Sequence, residues 1–339
     1  MKNLTVMRKQ IDRVDTKIVG LLDQRMSLTR DVAMAKNSEL NTSFTDEKRE
    51  EAVLARLQSL TNNLVLQDAI ADVYQTLFHT SKSIRHLAHE TENPFSTIGI
   101  IGDGLIGRSI AKTMLYKGKG SVVVTLFGRE WTPARVGECD LIIIASPINT
   151  VVDIARSLYT HSSLLKPGVV VIDVASVKMR ISNEFATLND ANDVAAPVFV
   201  PTHPMGGRKE RGAKYARSTL FAGRPWVVTP TGNSPDRVTE RVSQFVRYCG
   251  SEPILMEAKK HDGLITYVSH FPGFLSKSLL EFVSNSAEES LQLAGSGFEM
   301  MTKIGRTTNT RMRSQIVQNN TRNIQRVLRE FIKYIQKNG

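Results

Sequence analysis

Cysteine is nearly absent from this 339-residue chain, which carries only Cys139 and Cys249. The two stand far apart and without metal-ligand spacing, which excludes a disulfide framework and a zinc site and fits a reducing cytoplasm. Long apolar runs are missing too. The stretch 141–145 is far too short to span a bilayer and the first residues form no signal-peptide core, so a soluble, unexported protein with no membrane partner is expected. Aromatic residues make up only 6% of the chain, too few for a base-stacking platform, and no zinc-finger or RNA-recognition signature is present. This bears on the charge, because 44 Lys and Arg against 33 Asp and Glu leave a net +11. The basic cluster that includes Arg322, Arg326, Arg329 and Lys333 reads as a solvated helix face, so no nucleic-acid partner is expected. The excess positive charge suits small polyanionic substrates instead. What remains is ordinary for globular protein, 41% hydrophobic and 23% charged, with length for two or three domains.

Residues 4–37 contain no proline and one glycine, Gly20, and carry an apolar seam at Leu4, Met7, Ile11, Val14, Ile18, Leu21, Leu28, Val32 and Ala35. This predicts one long helix. At the seam position between Leu21 and Leu28 stands Arg25, a charge in place of a core residue, and an unpaired buried guanidinium costs several kcal/mol. It must meet an anion. Lys36, eleven residues on, falls about 20° from the same face, whereas Arg8 is turned away by about 100° toward a different surface. A helix of this length spans about 50 Å, more than a small domain covers, which implies dimerisation by helix pairing. Two further helices are expected at 46–62, with Asp46, Arg49 and Glu50, and at 67–86, with Ser81 and Arg85. An antiparallel bundle with salt-bridged faces would give the same pattern, but the seam arginine argues against that alone.

These residues, in this order and spacing, resemble the all-helical AroQ-type chorismate mutase family. The resemblance implies that Arg8, Arg25 and Lys36 hold the two carboxylates and ether oxygen of chorismate, with Arg8 supplied by the second protomer. Asp46, Arg49, Glu50 and Ser81 would orient the ring hydroxyl and the cations. The chain departs from the family at Arg85, where Gln or Glu is usual four residues after the serine; an arginine there would donate a charge-assisted hydrogen bond to the ether oxygen.

A polar linker at 86–94 leads to a short apolar strand at 96–101 and then Gly102-Asp103-Gly104-Leu105-Ile106-Gly107, opening a helix at 108–115. Between strand and helix this glycine pattern is a dinucleotide-binding turn, because backbone must approach pyrophosphate closely and the helix N-terminus supplies positive potential. Strands at 122–127, 141–146, 169–173 and 198–201 complete a doubly wound sheet. The second strand ends at Gly128 without the acid that would bind a ribose 2'-hydroxyl, and Arg129 is placed for a 2'-phosphate, which favours NADP while leaving NAD open through Glu130.

Three strand ends carry polar groups: Ala145-Ser146-Pro147, Asp173 through Lys178, and Thr202-His203-Pro204. With Trp226 and the pair His261-Asp262, they resemble the prephenate dehydrogenase family, so the whole chain is similar to the bifunctional chorismate mutase/prephenate dehydrogenases of tyrosine biosynthesis. The resemblance implies that His203 accepts a hydrogen bond from the substrate ring hydroxyl as hydride leaves for the nicotinamide. Ser146 would position both and also line the cofactor. The remaining substrate-binding candidates are Lys178, His270, Lys303 and Arg306. Two departures stand out, namely Gly273 where a histidine is usual and Lys303 where an arginine is. They leave open the same chemistry on arogenate or on 4-amino-4-deoxy analogues, and a regulatory or scaffold role without catalysis. The expected architecture is multidomain α and α/β. An all-α mutase unit at 1–92 precedes a Rossmann doubly wound sheet at 93–232, and an all-α dimerisation and substrate unit follows at 233–339, assembled as a homodimer through N- and C-terminal helices. Helices are expected at 235–248, at 261–293 with an interruption at Pro272-Gly273, and at 298–335.

Overall fold

The structure, a computed structural model, describes residues 4–37, 47–88, 91–118, 120–189, 195–207, 212–307 and 310–338. Helix α1 (Leu4–Asn37) runs over the residues expected and is followed by α2 (Glu47–Gln58) and α3 (Leu64–Leu87). Asn63 caps α3, its side chain accepting from the Leu66 N–H at 3.3 Å. The three helices enclose little core. No residue of α2 is buried, and the α1 seam remains in solvent at Leu4, Ile11, Val14, Ile18, Leu21 and Leu28. Ala33 of α1 and the end of α3 are covered, the latter because Leu87 is seated against Gly250, whose positive φ of 77° and missing Cβ, which would stand 2.8 Å from Leu87 Cδ2, leave it room.

A parallel sheet in the order β2-β1-β3-β4-β5 forms the centre of the molecule, built from β1 (Thr97–Ile101), β2 (Val123–Phe127), β3 (Leu141–Ile144), β4 (Val170–Asp173) and β5 (Val198–Val200). The continuous apolar run of β3 belongs in the middle because both faces are covered, and its residues alternate between two cores. Ile142 and Ile144 face α5 (Ile148–Thr160) and α6 (Met179–Leu188); Leu141 and Ile143 face α4 (Leu105–Gly118) and α7 (Asp236–Tyr248). Each large side chain so buried contributes about 1.5–3 kcal/mol.

Pro201 ends β5, and the chain enters a second sheet in the order β6-β7-β8, made of β6 (Thr202–Pro204), β7 (Pro225–Val228) and β8 (Glu252–Leu255). The sequence did not announce β8, whose Pro253 reads as loop. Helix α7, expected as the first of the C-terminal helices, instead packs Val238, Val242, Phe245 and Val246 with Ile98, Ile100 and Trp226. The boundary expected at 232 therefore cuts through this unit, which ends with β8 at Leu255.

Beyond it lie α8 (Ala258–Ile265), a π-helical turn (Thr266–His270), α9 (Phe271–Ser286), α10 (Ser296–Thr307) and α11 (Thr310–Asn338). The expected interruption at Pro272 is a wide turn rather than a break. The Phe271 N–H bonds back to Thr266 O, and the proline occupies the first turn of α9, where no donor is needed. The long last helix departs from helical geometry at Asn320, with φ −134° and ψ 23°.

Candidate active sites

A cavity of about 490 Å³ opens between α1, α2 and α3, lined among others by Arg25, Arg49, Glu50, Ser81 and Arg85. Among the described residues the seam cation meets no carboxylate. Arg25 Nη1 donates to Ser81 Oγ at 2.8 Å and its guanidinium lies 5.9 Å from the Tyr74 ring centroid, while Ser81 Oγ donates to Leu77 O at 2.7 Å. Its guanidinium is thus held in place on the wall of the cavity. Glu50 accepts from Lys82 Nζ at 2.9 Å across 32 residues. Lys82 escaped the sequence analysis because a lone lysine on a polar helix face carries no periodic mark. Arg8 is exposed near the start of α1, away from this cavity. Lys36 lies in the last turn of α1 with its side chain outside the description, and Asp46 lies outside the described residues.

The glycine turn after β1 has the form a dinucleotide requires. Gly102 has φ 129°, and a Cβ there would fall 2.3 Å from Ala145 O; one on Gly107 would fall 2.1 Å from Gly102 O, so no side chain is tolerated at either. Gly104 has nothing within 4 Å of its missing Cβ, which leaves open space for a phosphate against the N-terminus of α4, where Leu105 and Ile106 begin the helix. Asp103 is engaged by Arg108, Nη2 to Oδ2 at 2.6 Å, a pair that holds a cation beside this turn. At the end of β2, Arg129 is exposed. Glu130 folds back so that its Oε1 accepts from the Gly128 N–H at 2.9 Å, and a Cβ on Gly128 would stand 2.6 Å from its Oε2. Hydrogen bonds from its own main-chain N–H and from that of Gly128 hold the Glu130 carboxyl below its usual range. A carboxylate thus fills the space an acid at 128 would take.

Ser146 lies two residues beyond β3 and accepts from Thr150 Oγ1 at 3.0 Å, a hydroxyl in the first turn of α5. His203, in β6 opposite Val227, is partly exposed, and its Nδ1 lies 2.9 Å from His261 Nε2. Desolvation, helped by His261, Lys178 and His270, holds its pKa well below that of an ordinary histidine. At neutral pH it is an acceptor. Behind it a network ties three elements together. Lys178 Nζ contacts Asp173 and donates to Thr202 O at 2.6 Å, and Asp173 takes the N–H groups of Ala175 and Thr202 at 2.8 and 3.1 Å. Burial raises Asp173 and lowers Lys178, opposing the charge that each supports on the other. Lys178 is fully buried, so its ammonium supports the strand ends from behind rather than reaching a substrate, as the sequence suggested.

His270 stands in the π-helical turn, 4% exposed, its Nδ1 2.9 Å from Asn320 Nδ2 and its Nε2 without a partner among the described residues. The non-helical backbone of Asn320 turns an amide inward here that the sequence gave no reason to single out. Desolvation lowers His270 to about 4, so it is neutral and presents an Nε2–H. Lys303 and Arg306, by contrast, line an open groove along α10 with Ser296, Glu299 and Met300. Gly273 meets only Ile304, 3.9 Å from its missing Cβ.

Three family models match the chain: chorismate mutase type II over residues 7–86, the prephenate dehydrogenase nucleotide-binding domain over 104–255, and the prephenate dehydrogenase dimerization domain over 257–338. A cyclohexadienyl dehydrogenase of Zymomonas mobilis is 26% identical over 266 residues, which cover 72% of this chain and 87% of that protein. A chorismate mutase of Methanocaldococcus jannaschii is 32% identical over 95 residues, 27% of this chain and 95% of that protein. Prephenate dehydrogenase from A. aeolicus, solved in complex with hydroxyphenyl propionate and NAD+, matches with a TM-score of 0.62 and 23% identity, over 71% of this chain and 88% of that one. That likeness establishes the fold.

Proposed function

The chain belongs to the type II chorismate mutases through residues 7–86 and to the prephenate dehydrogenases through residues 104–255 and 257–338, and on that footing we propose that it runs two consecutive reactions. Chorismate is rearranged to prephenate in the helical cavity, and prephenate is oxidised and decarboxylated to 4-hydroxyphenylpyruvate at the sheet. One observation carries the reading: a neutral histidine stands at the strand ends of a glycine-turn domain whose preceding helices cradle a guanidinium in a cavity.

The first reaction is pericyclic and needs no nucleophile. Arg25, fixed by Ser81, and Lys36 hold the substrate carboxylates and ether oxygen, which selects a compact near-attack conformer and stabilises the negative charge that develops on the oxygen. Arg49 and Arg85 add positive potential, and Glu50, steadied by Lys82, takes the ring hydroxyl with Asp46. Arg8 lies about 25 Å along α1 from Arg25 and serves the pocket of a second protomer.

For the second reaction a nicotinamide dinucleotide would supply the hydride acceptor. Gly102, Asp103, Gly104, Leu105, Ile106 and Gly107 would cradle its pyrophosphate and Ser146 would line its site. His203 takes a hydrogen bond from the ring hydroxyl, Ser146 aligns that hydroxyl, and the Nε2–H of His270 is offered to a substrate oxygen. Lys303 and Arg306 serve the substrate carboxylates. Loss of carbon dioxide aromatises the ring and makes the step irreversible. Arg129 favours NADP through a 2'-phosphate, whereas the Glu130 carboxylate on the Gly128 N–H favours the free 2'-hydroxyl of NAD. Michaelis constants for both cofactors in Arg129→Ala and Glu130→Gln decide between them: a loss confined to NADP in the first supports the arginine, and a loss confined to NAD in the second supports the glutamate.

A homodimer is part of this reading. The exposed apolar side chains Val268, Phe282 and Met300 on the C-terminal helices, like the α1 seam, are the surfaces that pair. Supplying chorismate and dinucleotide together, with mass spectrometric identification of the product, tests the function. 4-Hydroxyphenylpyruvate with reduced cofactor supports it; unchanged chorismate, or prephenate that accumulates without reduction of either cofactor, refutes it.

A further inference from the structure

We propose that His261 and Asp262 are positioning residues that set the tautomer of His203 and so turn its Nε2 lone pair toward the substrate. The proposal rests on the reading of His203 as the acceptor for the ring hydroxyl, and deepens it. The argument runs outward from the carboxylate. Asp262, 1% exposed in α8, accepts the main-chain N–H of Lys178 at 2.8 Å on Oδ1 and that of Met179 at 2.9 Å on Oδ2. These are the donors at the start of α6, where a helix terminus favours negative charge. The carboxylate is therefore anchored by groups that cannot exchange their roles.

His261 Nδ1 lies 2.8 Å from Asp262 Oδ1, an acceptor only, so Nδ1 carries the hydrogen. In a neutral imidazole the other nitrogen then bears the lone pair. His261 Nε2 faces His203 Nδ1 at 2.9 Å with the rings at 77° to each other, so His203 must donate through Nδ1. Its Nε2 is left unprotonated. An isolated imidazole has no such bias strong enough to exclude the other tautomer, which would place an N–H where the ring hydroxyl needs an acceptor.

The groups around His203 are consistent with one neutral tautomer. Lys178 and its partner Asp173 lie behind it, His261 and Asp262 come from α8, and His270 comes from the π-helical turn, with Asn320 of α11 fixing His270 and also reaching Asp262 O at 3.2 Å. As the hydride leaves, positive character gathers on the hydroxyl that His203 holds. The Nδ1–H to His261, backed by Asp262, stabilises the charge passed to the imidazole, and the proton returns to the phenol when the ring becomes aromatic. No net proton is consumed.

Nitrogen NMR of histidine-labelled protein, with the His203 signals assigned by their loss in His203→Asn, reads the tautomer directly. The wild type is expected to show His203 protonated at Nδ1. In His261→Phe the signal shifts toward Nε2 protonation, and dehydrogenase kcat falls about 10²-fold with KM within about twofold. His261→Gln, whose amide oxygen replaces the acceptor, restores Nδ1 protonation and most of kcat. Unchanged mutase turnover in the same preparations verifies that the chain is folded. Wild-type His203 protonated at Nε2, or an unaltered tautomer and kcat in His261→Phe, overturns the proposal. If wild-type protein does not oxidise prephenate, the assigned function fails while the nitrogen shifts still decide the relay.

Discussion

The helical cavity and the sheet site hold their charges in opposite ways. Among the described residues Arg25 is held by Ser81 and the Tyr74 ring and Glu50 by Lys82, in a cavity open to water, and nothing in α2 is buried. At the sheet, Asp173, Lys178 and Asp262 are at most 1% exposed and every one is multiply bonded. Open pairs contribute about 0–1 kcal/mol each, so those in the cavity add little to stability. Buried charges survive only where each partner is satisfied, which makes the sheet site rigid before any substrate arrives. Substitutions in the cavity should therefore change turnover and little else, whereas removal of a charge from the buried Asp173–Lys178 pair should also lower stability.

The largest effect expected is at the group that meets the substrate at the sheet. His203→Asn should lower prephenate oxidation by up to about 10⁴-fold while leaving the chorismate rearrangement untouched, in parallel assays of the two activities. Intact oxidation would exclude the role. Lys178→Ala comes next, because it strands Asp173 without its cation. A loss of about 3–5 kcal/mol in urea unfolding is expected, and a loss under about 1 kcal/mol would show that the pair is not buried as described.

A third effect follows from His270. Its folded pKa is about 4, below the unfolded value of about 6.5. Between those values the unfolded chain binds the extra proton, so stability is full above about pH 6.5 and declines by about 3 kcal/mol toward pH 4. His203 is depressed in the same direction and adds to the slope. Unfolding curves across this range should flatten in His270→Phe, and an identical slope would contradict the assignment. The smallest effect is at Lys82→Ala, which frees the part-exposed Glu50 carboxylate. Stability should change by under about 1 kcal/mol, with a few-fold loss in mutase kcat/KM.

Much of this was legible in the sequence where a residue broke a local rule. Arg25 stood out as a charge in an apolar seam, and α1 covers the residues expected. Gly102, Gly104 and Gly107 stood out by their place between strand and helix, and the turn they form leaves no room for other residues at its first and last positions. What stayed hidden depends on contacts between distant segments. Lys82 meets Glu50 only because α3 packs on α2, and His203 meets His261 across 58 residues only because β6 lies beside α8. The direction of Lys178 could not be read either, since an ammonium at a strand end can face a substrate or turn inward to Asp173 with equal local propensity. The second sheet was obscured for a similar reason. Its strands are three or four residues long and owe their pairing to the packing of Trp226 and α7 rather than to alternation.

The coupling of two reactions on one chain is tested most directly by Arg25→Ala assayed for cofactor reduction from each substrate in turn. Reduction should continue at the wild-type rate when prephenate is supplied and fall by about 10²-fold or more when chorismate is supplied. Equal rates from chorismate in the variant and the wild type would contradict the assignment of the helical cavity as the source of prephenate.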